Sequence, residues 1–205
     1  VRGLEDIADK VIAGERLSFD DGMRFYASPD LPFLAHLAST VRFRKHPERV
    51  VTFIASRNIN YTNVCWVQCK FCAFYRHPKS EEAYVLPDEV IFEKIQELVD
   101  SGGYDILIQG GLNPKLRIVY FERLFAEIKA RFPTVHIHGL SVAEVLYIAK
   151  ISKLSVEETL TRLRASGMAT IPGAGGEILV DEVREQIAPY KDRTDEWLDV
   201  MRTAH

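Results

Sequence analysis

The spacing of apolar positions changes near residue 50. Before it, Leu4, Ile7, Ala8, Val11 and Ile12 recur at the 3.6-residue period of an amphipathic helix, and Gly14 is its stop. Ser18, with Asp21 three residues on, reads as the cap of a short helix through Phe25. Ser28-Pro29-Asp30 breaks that helix, and Leu31–Phe43 predicts a third with Leu34, Leu37, Ala38 and Val41 inward. Arg42, Arg44, Lys45 and Arg49 gather at its end, where cations suit the helix dipole. Val50-Val51-Thr52-Phe53-Ile54 is then a continuous apolar, β-branched run, which predicts a first strand buried on both faces.

Strand and helix patterns alternate from there on. Pro87–Asp100 predicts a helix with Val90, Ile91, Ile95, Leu98 and Val99 on its apolar side, ended by Gly102-Gly103. Asp105–Gln109 predicts a second buried strand, and a helix follows at about Val119–Phe132, stopped by Pro133. Val135–Gly139 is a third strand, and Ser141 caps a helix through Ile148. Ser155 opens a helix ended by Gly167, Thr170-Ile171 is a short fourth strand, and Thr194–His205 is a last amphipathic helix. Such strand–loop–helix repetition implies a parallel sheet with crossover helices. The expected organisation is a helical extension over 1–49 and an α/β unit over 50–205.

Composition narrows the class. With 205 residues, 47% of them apolar and 27% charged, the chain has the make-up of a folded globular domain rather than a disordered one. A net charge of −3 offers no electrostatic footprint for nucleic acid or an anionic membrane. No apolar run reaches the roughly 20 residues of a membrane span. The start, Val1-Arg2-Gly3-Leu4-Glu5-Asp6, is acidic and amphipathic, unlike a signal peptide. A cytoplasmic protein is expected.

Three cysteines, all between positions 65 and 72, are the most informative feature. An odd number packed this closely is no disulfide framework. Cys65-Trp66-Val67-Gln68-Cys69-Lys70-Phe71-Cys72 spells C-x₃-C-x₂-C on a loop after the first strand, where ligands of parallel α/β folds gather. Three thiolates can hold three irons of a cubane cluster and leave the fourth iron open, whereas closed electron-transfer clusters use four thiolates. A zinc site completed by His77 and three unliganded buried thiols are the alternatives.

The loop has the C-x₃-C-x-aromatic-C form of the radical S-adenosylmethionine superfamily. A wider set of segments resembles the cyclic dehypoxanthinyl futalosine synthases of menaquinone biosynthesis: Asn58–Cys65, Cys69–Arg76, Gln109–Leu116, His136–Gly139, Ser152–Ser155 and Glu177–Asp181. Aminofutalosine synthases and the enzymes that build the deazaflavin chromophore are similar. Tyr75-Arg76 and the His-Ile-His-Gly strand favour the cyclase. The likeness runs from about Leu17 to His205. It implies a partial TIM-type (β/α) radical SAM barrel with an N-terminal helical extension, lacking the further strands with which relatives complete theirs.

The resemblance also implies a [4Fe-4S] cluster on Cys65, Cys69 and Cys72, with S-adenosylmethionine chelating the open iron. One electron, from a donor such as flavodoxin or ferredoxin, would release a 5′-deoxyadenosyl radical. That radical would remove hydrogen from C4′ of a nucleoside-like substrate, whose carbon radical closes onto an attached benzoate ring. Phe71 matches the motif's aromatic beside the adenine, and Gly110-Gly111 would let backbone approach the amino-acid moiety. Leu112 stands where the superfamily often has an acid, so that contact would be main-chain. Ser141 and Glu177 follow strands three and four and are further candidates for the cofactor, Ser141 equally for a helix cap and Glu177 for the surface. Arg76, His136 and His138 are candidates for the substrate, a guanidinium fork matching a carboxylate and the two histidines sharing one strand face. Each has a plainer reading, Arg76 as a solvated loop residue and the histidines as hydrogen-bonded sheet residues.

Overall fold

The computed structural model describes residues 3–205; Val1 and Arg2, which open the acidic amphipathic start, lie outside them. The chain divides into two units, one ending at Phe53 and the other starting at Ile54. The first holds α1 (Glu5–Ala13), α2 (Phe19–Tyr26) and α3 (Leu31–Lys45). Gly14 ends α1 in the left-handed region at φ 81°, as its lack of a Cβ permits. Ser18 and Asp21 form the reciprocal capping box. Arg44, read as a helix-end cation, reaches the carbonyl oxygens of Val11 and Ile12 at 2.7 and 2.8 Å and closes the end of α1. On α3, Leu37 is buried, Leu34 and Val41 are half-buried, and Ala38 is exposed.

The second unit runs β1 (Ser56–Asn60), α4 (Asp88–Asp100), β2 (Asp105–Gln109), α5 (Ile118–Arg131), β3 (His136–Gly139), α6 (Val142–Ser152), α7 (Val156–Ala165), β4 (Met168–Thr170), α8 (Asp181–Ile187) and α9 (Thr194–Ala204). All strand pairs are parallel and the order is β1-β2-β3-β4. This is a partial TIM-type barrel wall. Ile59, Ile106, Ile108 and Ile137 point from the strands into one core with Ile91 and Ile95 of α4, Phe121, Phe125 and Ile128 of α5, and Val145 and Ile148 of α6. The opposite strand face carries Asn58 and Asn60, Asp105, Leu107 and Gln109, and His136 and His138.

The first strand is not where the apolar run predicts it. Val50–Ile54 joins no ladder and is exposed, Val51 to 83% and Phe53 to 88%. The ladder starts at Ser56 opposite Asp105 and ends at Asn60 opposite Gln109. Only Ile59 of Ser-Arg-Asn-Ile-Asn is buried, because one face of β1 meets helices and the other is polar. A strand placed so lacks the continuous apolar run of one buried on both sides. β4 lies slightly earlier than Thr170-Ile171, and α8 had no counterpart in the apolar pattern. Among the described residues, no helix is long and apolar enough to cross a membrane.

Candidate functional site

The loops beyond the C-terminal ends of the strands enclose a cleft of about 440 Å³. Its wall includes Cys65, Cys69, Cys72 and Phe71 from the loop after β1, Gly110 and Gly111 after β2, Ser141 after β3, and Glu177 after β4. Eight candidates drawn from four separate stretches of sequence thus meet at one place. Arg76, His136 and His138 do not line it.

The cysteine loop is pinned at both ends. The Cys65 N–H donates to the Arg76 carbonyl at 3.0 Å and the Arg76 N–H to that of Asn63 at 2.7 Å. Buried Asn63 clips the returning chain, donating to the Glu82 carbonyl and accepting from the Tyr84 N–H, both at 2.8 Å. Farther along, the Lys70 N–H donates to the carbonyl of Ile187, on α8, at 2.8 Å. Beneath the loop Val67, Leu112 and Ala143 pack together with Cys65, Cys69 and Tyr147 against them. The Trp66 ring sits between Tyr147 and Tyr190, at centroid distances of 5.8 and 6.0 Å.

Arg76 is occupied by this scaffold. Its guanidinium pairs with Glu82 and donates to the carbonyls of Ala73 and Tyr75 at 3.1 and 2.9 Å. Gly110 and Gly111 are required by packing. A Cβ on Gly111 would lie 2.3 Å from the Val64 carbonyl oxygen, and one on Gly110 would lie 2.8 Å from the Tyr61 ring. Both glycines let the loop after β2 lie against the chain that leads into the cysteines.

Ser141 is the N-cap of α6, in a capping box with Glu144. Glu144 is the residue the sequence pattern did not flag. It is 2% exposed, lines the cleft, and accepts hydrogen bonds on both carboxylate oxygens. Oε1 takes the Tyr61 hydroxyl at 2.6 Å and the Gly110 N–H at 2.9 Å. Oε2 takes the N–H and hydroxyl of Ser141, both at 2.7 Å. Burial pushes its carboxyl above the ordinary range, against the pull of these donors. Only the Ser-x-x-Glu spacing marked it, and that spacing reads as a capping box and nothing more.

Glu177 and a second unflagged residue, Lys191, close the far side. Glu177 accepts the Gly175 N–H at 3.1 Å and lies 3.7 Å from Lys191 Nζ. Burial raises its carboxyl, but its own and Gly175's N–H together with Lys191 outweigh this and hold it below the ordinary value. Lys191 Nζ also stands 5.7 Å from the centre of the Phe71 ring, within cation–π reach. This side is held by Arg184, whose guanidinium donates to the carbonyls of Gly175 and Ile178 at 2.7 and 2.9 Å and to Asp192 Oδ2 at 2.7 Å. Asp192 is buried beside it, and its Oδ1 has no partner among the described residues.

The three thiols are free and half-buried. Burial pushes the Cys69 thiol up, with Lys191 opposing it. Among the described residues, no three His, Cys, Asp or Glu side chains converge to hold one metal ion, and His77 is exposed, with Nδ1 taking the Lys79 N–H at 3.3 Å. A single zinc needs four ligands on one centre. A cubane cluster instead spreads its thiolates over different irons, which suits three sulfurs along one wall of a cleft.

The chain matches the family model described as the radical SAM superfamily over residues 59–205. It is 44% identical over 199 residues to a cyclic dehypoxanthine futalosine synthase of Halalkalibacterium halodurans, covering 97% of this chain and 54% of that protein. It is 43% identical over 176 residues to a 5-amino-6-(D-ribitylamino)uracil–L-tyrosine 4-hydroxyphenyl transferase of Methanothermobacter thermautotrophicus, covering 86% of this chain and 48% of that protein. An aminodeoxyfutalosine synthase of Thermus thermophilus is 37% identical over 210 residues, covering the whole chain and 56% of its own length. The chain thus spans about half the length of these relatives. The crystal structure of methylornithine synthase superposes with a TM-score of 0.70 over 96% of this chain and 55% of that one, at 19% identity, and shows the fold alone. With the family match running from the end of β1 through β2, β3 and β4 and including the loop that carries the three cysteines, the chain belongs to the radical SAM superfamily.

Proposed function

We propose that the protein acts as a radical enzyme of the futalosine route, cyclising dehypoxanthine futalosine by hydrogen removal at C4′ and carbon–carbon bond formation. The observation that carries this is the convergence of Cys65, Cys69, Cys72, Phe71, Gly110, Gly111 and Glu177 on one cleft. The 44% identity to a cyclic dehypoxanthine futalosine synthase supports this reaction within the superfamily. When bound, a [4Fe-4S] cluster and S-adenosylmethionine supply the 5′-deoxyadenosyl radical. Cys65, Cys69 and Cys72 would hold the cluster. Phe71 offers a ring face to the adenine, and Lys191 and Glu177 offer opposite charges to the two ends of an amino-acid group. Glu144 fixes the Gly110 N–H and the Ser141 backbone, so that wall is set before a ligand arrives. The packed loop shields one side of the site from water, as radical chemistry requires.

The 43% identity to the tyrosine 4-hydroxyphenyl transferase supports a second reading, attack of a tyrosine-derived fragment on a ribitylaminouracil. Two measurements decide. After anaerobic reconstitution with iron and sulfide, the reduced protein is expected to give a four-iron EPR signal that shifts when S-adenosylmethionine is added, and Cys69→Ser is expected to lose it. Zinc on the same thiols, or a signal indifferent to the cofactor, refutes the radical reading. Incubation with dehypoxanthine futalosine, or with tyrosine and the uracil, followed by mass spectrometry, assigns the reaction; cyclised product from the first is the expected result.

A further inference from the structure

Below the cleft, the strand face opposite the helices carries a hydrogen-bonded chain that the cysteine site does not use. His136 stands beside Asp105 on β2, and His138 beside Leu107 on β2 and Thr170 on β4. Asp105 Oδ1 is 2.7 Å from His136 Nδ1, His136 Nε2 is 3.4 Å from Thr170 Oγ1, and Thr170 Oγ1 is 2.6 Å from His138 Nδ1. The two imidazoles are 6.3 Å apart and within 20° of parallel.

The end group sets the direction of every bond. With both imidazoles neutral, an ionised carboxylate only accepts, so His136 donates through Nδ1 and carries its lone pair on Nε2. Thr170 has one proton, which goes to that lone pair, so its oxygen accepts the Nδ1–H of His138. His138 Nε2 is then an unprotonated base, and it makes no hydrogen bond among the described residues. Along β2, Gln109 lines the cleft and is the next residue on this face after Leu107, the register partner of His138. One such repeat is about 6.7 Å, so His138 lies one step below the cleft, within the span of a nucleoside carrying an aryl group.

We propose that His138 is the proton acceptor for a nucleoside-like aryl substrate reaching down from the cleft, with Thr170, His136 and Asp105 as positioning residues that fix its tautomer. This rests on the function proposed above. In the step, a substrate C–H or O–H bond breaks, its electron pair stays on the substrate, and an N–H bond forms at His138 Nε2. The Nδ1 proton of His138 passes to Thr170 as the Thr170 proton passes to His136 Nε2. The positive charge thus comes to rest beside the Asp105 carboxylate, and no electron is transferred.

The test begins on the wild-type protein with ¹⁵N-labelled histidine. NMR is expected to show both His136 and His138 with the proton on Nδ1, and Thr170→Val is expected to release His138 to the Nε2–H form while His136 keeps its own. A wild-type His138 protonated on Nε2 overturns the proposal. In turnover, His138→Gln is expected to raise the ratio of 5′-deoxyadenosine to cyclised product by about 10²-fold, the usual worth of a general base. An unchanged ratio also overturns it. If the wild type releases no 5′-deoxyadenosine with any substrate, the parent function fails instead, and the tautomers still decide whether the relay exists.

Discussion

Arg184→Gln should open one wall of the cleft without unfolding the sheet. Arg184 and Asp192 are buried, with side chains 7% and 2% exposed. The guanidinium also serves the carbonyls of Gly175 and Ile178. Removing it strands a buried carboxylate whose Oδ1 is already unpartnered. Breaking such a pair from one side costs about 3–5 kcal/mol. That is about two to three and a half decades in an opening equilibrium. The loss should be local, because the 173–192 segment hangs on these bonds while α5 is fixed by Phe121, Phe125 and Ile128 in the main core. Hydrogen exchange followed by mass spectrometry is the assay: protection in 173–192 should fall by about two to three and a half decades and protection in α5 should hold. The pH dependence gives a second check. Burial raises the Asp192 carboxyl, against the pull of Arg184 and Lys191 and with a smaller push from Glu196. Without Arg184 it rises further, so the folded variant keeps a proton that the unfolded chain has lost. Its stability then falls as pH rises through that window, and the deficit shrinks as pH is lowered toward the ordinary carboxylate range. A change in the segment below tenfold, an equal loss in α5, or a deficit that grows on acidification would refute the reasoning.

Two further substitutions test the cleft floor. Glu144→Gln keeps an acceptor for Tyr61 and Gly110 but turns an amide N–H₂ toward the Ser141 N–H; the expected cost in urea denaturation is about 1 kcal/mol for the orphaned half-buried donor. Because the folded Glu144 carboxyl is raised above 4.5, its contribution is full below that value and is lost as pH rises through the folded value. The gap between wild type and variant should therefore narrow as pH rises over that interval. Gly111→Ala puts a methyl 2.3 Å from the Val64 carbonyl and 2.8 Å from Cys65 Cβ, so backbone must move. The expected result is about 1–3 kcal/mol of destabilisation by melting, with less iron bound per chain after reconstitution. Iron uptake equal to that of the wild type would show that the cysteine loop does not depend on this contact.

The sequence was most legible where one physical signal dominated. Asp105-Ile106-Leu107-Ile108-Gln109, between Gly102-Gly103 and Gly110-Gly111, reads as a strand and is β2 from end to end. The Ser18, Ser141 and Ser155 caps were readable because a side chain that satisfies an N–H three residues on leaves a local spacing. The apolar pattern misplaces β1 because the strand's own apolar signal is a single residue, Ile59, while the stronger run at Val50–Ile54 sits outside the sheet. Apolar pattern reports burial, and it reports strand position only when the strand's own faces are apolar.

The site divides along the same line. Three cysteines within one loop carry their chemistry in their spacing, so they could be picked out before any fold was known. Glu144 and Lys191 could not be, because their importance lies in what the fold brings to them: Gly110 and Tyr61 from 34 and 83 residues away for the one, Phe71 and Glu177 for the other. His136 and His138 stand between these cases. Period-2 spacing places them on one face, but Asp105 on β2 and Thr170 on β4 turn two sheet histidines into a directed chain, and only the register of three strands reveals that. Residues whose role is set by neighbours in space, as these are, should tolerate substitution only when the neighbour's hydrogen-bonding is restored with it. Coupling between Thr170 and His138 in a double-mutant cycle is therefore the measure of whether the chain acts as a unit.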